Sequence, residues 1–75
     1  MTTRTQAPTG TFAARLRHLR TERGWSQATL AAWADMSTKH LAYLEQGYGE
    51  PQVYTMRKLA AALGISMSKL MEGVV

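Results

Sequence analysis

Gly24-Trp25, Gly47-Tyr48 and Gly64-Ile65 repeat one pattern: a glycine ends a run of helical periodicity, and an apolar residue follows that can fold back over it. This is the sequence form of a left-handed C-terminal helix cap. Three such stops leave room only for short helices. The starts are marked as well, because Ser26, Ser37 and Ser66 each stand just before a new run, where a serine oxygen can accept a bond from an orphan N–H of the first turn. Pro51 bars a helix from continuing into the fourth run. The expected helices cover residues 12–23, 27–34, 38–46, 53–63 and 67–72. No stretch alternates as a strand would, so the fold class expected is all-α, a compact bundle of about five short helices.

The apolar positions of these helices give a thin core: Leu16 and Leu19, Leu30 and Ala31, Leu41 and Leu44, Met56, Leu59 and Leu63, then Leu70, with Met36 at a turn. Seventy-five residues suffice for one such domain, expected over residues 11–75, and function must then lie on its surface rather than in a cleft between domains. The first ten residues, rich in Thr with Pro8 and Gly10, read as a flexible arm. They hold no apolar run that could be a signal peptide, and no later stretch approaches the roughly 20 apolar residues of a membrane span. The absence of cysteine removes disulfides, thiolate metal sites and a cysteine nucleophile together. A cytoplasmic, nucleoid-associated protein is expected, with no membrane partner.

Nine basic against five acidic residues leave a formal charge of +4, enough on a chain this short to attract a polyanion. Charge alone is equally compatible with simple solubility. His18 and His40 lack further ligands at metal spacing, and no carboxylate pair or Ser/His/Asp order suggests hydrolysis. Neither an enzyme, a metal site nor a cofactor is expected.

Only Asp35, Met36 and Ser37 separate the second and third helices, so the two must cross steeply at a sharp turn. Asp35 falls at the left-handed position of that turn, where a side chain costs about 1 kcal/mol relative to glycine. On the third helix Leu41 and Leu44 share one side, which leaves Thr38, Lys39, Ala42, Tyr43 and Gln46 on the other. That outer face contains no acid. It suits a DNA major groove, where Lys reaches guanine and Ala or Thr methyls touch thymine, and it equally suits plain solvation.

From Leu16 to Met71 the chain resembles the phage repressor, Cro and XRE class of helix-turn-helix DNA-binding domains, through LRHLRTERGWSQATLAAWADMS, then LAYLEQG, then Pro51 and LAAALGIS. The resemblance implies a lambda-repressor-like fold whose second and third helices form the helix-turn-helix. It also implies a sequence-specific transcriptional regulator, a repressor, that docks helix 38–46 in an operator's major groove as a homodimer on double-stranded DNA. Thr38, Lys39 and Tyr43 would then face base edges, while Ser26, Gln27, Ser37 and Gln46 would touch phosphate or brace the contacts. The start of the fourth helix, around Tyr54, Thr55 and Arg57, would meet a second phosphate. Similar domains also pair Arg20 with Glu45 across the fold. Ala42, Gln46, Asp35 and Gln52 depart from the commoner residues of the family pattern.

Several residues keep two readings. Arg15, Arg17, Arg23, Arg57 and Lys58 either form a basic rim around the DNA or belong to solvated faces, and Arg4 either enters a minor groove or contacts nothing. Trp25 reads as core. Trp33 falls beside the buried stripe of its helix and is either a lid over the core's edge or a contact for a protein partner. Met67, Met71 and Val74 form, with Val75, an apolar tail dense enough for a dimer interface, Leu70 being the one that closes the monomer. The rival to the regulator is a protein-binding adaptor or antitoxin-like module on the same fold.

Overall fold

A computed structural model describes residues 11–49 and 51–74 of the chain. The arm expected over residues 1–10, Arg4 included, lies outside the described residues, as does Val75. Five helices follow in order: α1 (Phe12–Glu22), α2 (Gln27–Trp33), α3 (Thr38–Glu45), α4 (Val53–Leu63) and α5 (Met67–Leu70). There is no strand among the described residues.

Four of the five helix starts are closed by a side chain. The hydroxyls of Thr11, Ser26, Ser37 and Ser66 accept from the N–H of the residue three further on. Gln52 provides no such bond, so the first turn of α4 carries no side-chain cap. At the other ends, the N–H groups of Trp25, Tyr48 and Ile65 reach back to the carbonyls of Arg20, Tyr43 and Ala60 across the left-handed glycines. Asp35 closes α2 in the same way, with φ of +54° and the Met36 N–H bonded to the Ala31 carbonyl. The last helix is shorter than expected, ending at Leu70, because the Glu72 N–H turns back to the Lys69 carbonyl instead of continuing the α pattern.

Every helix gives the core one fully buried leucine: Leu16, Leu30, Leu41, Leu59 and Leu70. Burying each contributes roughly 1.5 to 3 kcal/mol before chain entropy is counted. Met36, Met56 and Trp25 pack against this cluster half-buried, at its edge rather than its centre.

Three of the five cations left between a basic rim and a solvated face take a role that neither reading included. Arg15 and Arg17 on α1, and Arg23 at its C-cap, do not stand free. Each donates to a carbonyl at the C-terminal end of another helix: Arg15 to Lys69 at 2.8 Å, Arg17 to Glu45 at 2.7 Å and Arg23 to Leu63 at 2.9 Å. The physical reason is that carbonyls in the last turns of α5, α3 and α4 keep lone pairs to offer, even that of Lys69, which already accepts the Glu72 N–H, and carry a partial negative charge, which a guanidinium satisfies together. Sequence periodicity on α1 cannot reveal such acceptors, because they lie 28 to 54 residues away. Arg23 also donates to the Leu19 carbonyl and rests over the Trp25 ring, 5.9 Å from its centroid.

Candidate nucleic-acid interface

What α3 presents outward depends on how firmly its inner side is held. Leu41, Leu44 and Glu45 are buried there, and Glu45 is the anchor, only 1% exposed. Its carboxylate accepts from Arg20 Nε at 2.7 Å and Nη2 at 2.9 Å, a two-point fork, and from Gln27 Nε2 at 3.1 Å. Its backbone carbonyl takes the Arg17 bond. One residue thus ties the last turn of α3 to α1 twice over and to the first turn of α2. Arg20 Nη1 additionally donates to the Trp25 carbonyl at 2.8 Å. The Arg20 pKa is raised, chiefly by the Glu45 hydrogen bond and further by that carboxylate's charge, against a lowering from burial.

With the inner side fixed, Thr38, Lys39, Tyr43 and Gln46 are exposed on the free side of α3, and Ala42 is half-buried beside them. No acid shares that side. Ser37 uses its oxygen as an acceptor for the His40 N–H, which leaves its O–H proton available to a ligand. Ser26 Oγ does the same for Thr29 and also pairs with the Thr29 hydroxyl at 3.0 Å. Gln27 is half-buried and engaged with Glu45, so its amide braces α3. At α4, Tyr54 and Arg57 are exposed, whereas the Thr55 side chain is buried. Its place four residues before Leu59 and eight before Leu63 puts it on the core stripe of α4.

The distribution of charge sharpens this surface. Among the described residues, every Lys and Arg except Lys39 and Arg57 is engaged by a carbonyl or carboxylate. Lys58, another expected rim residue, lies 3.9 Å from Asp35 at the turn and 5.0 Å from the centroid of the Tyr54 ring. The two unengaged cations therefore sit on α3 and on the first half of α4.

Away from α3, Trp33 is 69% exposed. Met67, Met71 and Val74 are half-buried, and Met67 packs against the core cluster. A cavity of about 330 Å³ opens between the start of α1 and the α3–α4 loop, lined mainly by Phe12, Ala13, Leu44, Gly47 and Pro51. Among the described residues no three metal-ligating side chains come together, and no helix is long and apolar enough to cross a membrane. Two residues of this region escaped the sequence reading: Glu45 as the acceptor for Gln27, and Tyr48, whose ring meets that of Tyr43. The glycine cap itself was the available signal for the second, since it brings the residue after Gly47 over Tyr43.

Two short helices joined by the four residues from Ala34 to Ser37, the second pinned inward by a buried carboxylate and acid-free outward, define a helix-turn-helix domain. The helix-turn-helix family matches residues 16–70, and the chain belongs to it. HTH-type transcriptional regulator DdrOP3 of Deinococcus deserti is 42% identical over 60 residues, covering 80% of this chain and 46% of DdrOP3. The uncharacterized HTH-type transcriptional regulator y4dJ of Sinorhizobium fredii is 40% identical over 52 residues, 69% of this chain and 68% of y4dJ. The chain spans less than half of DdrOP3 and a fifth of a Mycobacterium tuberculosis relative that is 44% identical over 52 residues. Among solved structures, the restriction-modification controller protein C.AhdI from Aeromonas hydrophila superposes with a TM-score of 0.76 at 37% identity, covering 79% of this chain and 89% of C.AhdI. The N-terminal DNA binding domain of SinR from Bacillus subtilis gives 0.74 at 26% identity, with 81% and 90% covered.

Proposed function

We propose that this chain is a sequence-specific DNA-binding transcriptional regulator that lays α3 in the major groove of an operator. The observation that carries the reading is the acid-free outer side of α3, with Lys39 unengaged and the helix anchored from behind through Glu45. Thr38, Lys39 and Tyr43 read base edges. Gln27 holds the angle of α3, and Ser26, Ser37 and Gln46 border the adjacent phosphates. The uncapped N–H groups that open α4, with Tyr54 and Arg57 beside them, take a second phosphate, since free N–H groups and the helix dipole favour an anion there. The protein acts as a homodimer, a repressor in the cytoplasm, with two α3 helices about 34 Å apart, one turn of DNA. Met67, Met71 and Val74 form the contact between copies. Its role is binding, without catalysis or cofactor.

Selection of bound sequences from a random DNA pool tests this reading. An enriched inverted repeat is expected. Lys39→Ala should lose about 1 to 3 kcal/mol on the best site and flatten preference at one or two base pairs. Arg57→Ala should weaken all sequences alike and lower the salt dependence by about one ion. A second reading, a protein-binding adaptor or antitoxin-like module, is favoured by the exposure of Trp33 alone. Failure of the folded protein to enrich any sequence would decide for it.

A further inference from the structure

Four helices of this domain end in the same two-bond closure, and the one after α3 differs from the others. After α1, α2 and α4 the residue that folds back is Trp25, Met36 or Ile65, each half-buried and packed against the core. After α3 it is Tyr48. Its N–H bonds the Tyr43 carbonyl at 3.1 Å while the Gly47 N–H bonds that of Leu44 at 3.1 Å. The closure thereby sets the ring of Tyr48 against the ring of Tyr43, with centroids 5.2 Å apart and planes inclined at 50°. Neither ring seals the core, for they are 54% and 56% exposed. A device that elsewhere covers apolar surface here builds an aromatic pair on the outer side of α3.

A lone exposed tyrosine samples several rotamers and loses that freedom when a ligand arrives. Contact with a second ring at a centroid separation within the favoured range removes some of the freedom beforehand. The side on which the pair stands also carries the Thr38 methyl and Ala42, and apolar groups in a major groove find the C5 methyl of thymine. We propose that Tyr48 is a positioning residue for Tyr43, holding its ring so that the pair recognises a thymine methyl in bound DNA. This rests on the DNA-binding reading above.

The test uses the operator selected by the full chain and a copy in which each thymine in turn is replaced by deoxyuracil, which differs only in lacking the methyl. At one position the parent should bind the thymine form about two- to tenfold more tightly, the range that burying one methyl group supports. Tyr43→Ala and Tyr48→Ala should bind both forms alike, and Tyr48→Phe should restore the difference. Tyr48→Leu keeps an apolar residue over the helix end without a ring, so it should melt like the parent yet lose the difference. Retention of the thymine preference by folded Tyr48→Ala or Tyr48→Leu would overturn the proposal. So would an operator in which no thymine methyl matters, while leaving the DNA-binding reading intact. A parent that selects no operator would overturn both.

Discussion

Replacing Glu45 with alanine removes the acceptor on which three side-chain bonds converge. Two come from Arg20, at 2.7 and 2.9 Å, and one from Gln27 at 3.1 Å. The guanidinium left behind keeps only the Trp25 carbonyl, and its side chain is 13% exposed, so water cannot fully replace what is lost. Breaking a buried pair from one side costs about 3 to 5 kcal/mol. A solvent-exposed pair would cost at most about 1 kcal/mol. Small domains lie near the bottom of the 5 to 15 kcal/mol range of total stability, roughly, so the variant should stand close to unfolding at 25 °C. For a domain of this size about 3 kcal/mol corresponds to a fall of about 12 to 24 °C in Tm. Urea melts followed by far-UV circular dichroism at neutral pH measure the loss. Because the folded pKa of Arg20 is raised, the stability it contributes is fully present below its ordinary unfolded value and is lost only as pH rises through the folded one, so neutral conditions read the whole effect. The Arg20→Ala single and the double variant complete a cycle that isolates the coupling. A loss below about 1 kcal/mol in Glu45→Ala would refute the view that this carboxylate anchors α3.

Asp35→Gly should stabilise the domain by up to about 1 kcal/mol in the same melts, since it relieves a left-handed side chain at the cost of an exposed contact with Lys58; a net loss would mean that the contact matters more than the strain. Leu70→Ala should cost about 2 to 5 kcal/mol although α5 is only four residues long, because Leu70 is fully buried; a loss under about 1 kcal/mol would show that α5 is peripheral to the core. In a Trp25→Phe background the fluorescence of Trp33 should be quenched by acrylamide nearly as readily as that of a free indole, and protection of the monomer's Trp33 would contradict its exposure.

The parts of the fold legible in the sequence were those fixed by neighbours in the chain. Ser26, Ser37 and Ser66 mark helix starts and Gly24, Gly47 and Gly64 mark ends, because a cap is made within six residues and its chemistry is written there. The outward placement of Thr38, Lys39 and Tyr43 followed from the wheel of α3 for the same reason. What escaped was set by partners far along the chain. The guanidiniums of Arg15, Arg17 and Arg23 look alike on α1, and only the docked ends of α5, α3 and α4 decide that they hold carbonyls instead of meeting solvent. Whether Gln27 touches phosphate or braces α3 is not written in its neighbours, because its engagement with Glu45 spans 18 residues. Thr55 is a different case: the start of α4 singles it out for its backbone, while its register with Leu59 already places its side chain inward.

The bond from Arg15 to the Lys69 carbonyl, across 54 positions of sequence, places the opening turns of α1 beside the closing helix. The same guanidinium lies 3.5 Å from the Glu72 carboxylate, so one side chain of α1 latches both the end of α5 and the turn beyond it, and any loosening of that four-residue helix must carry the Arg15 side chain with it.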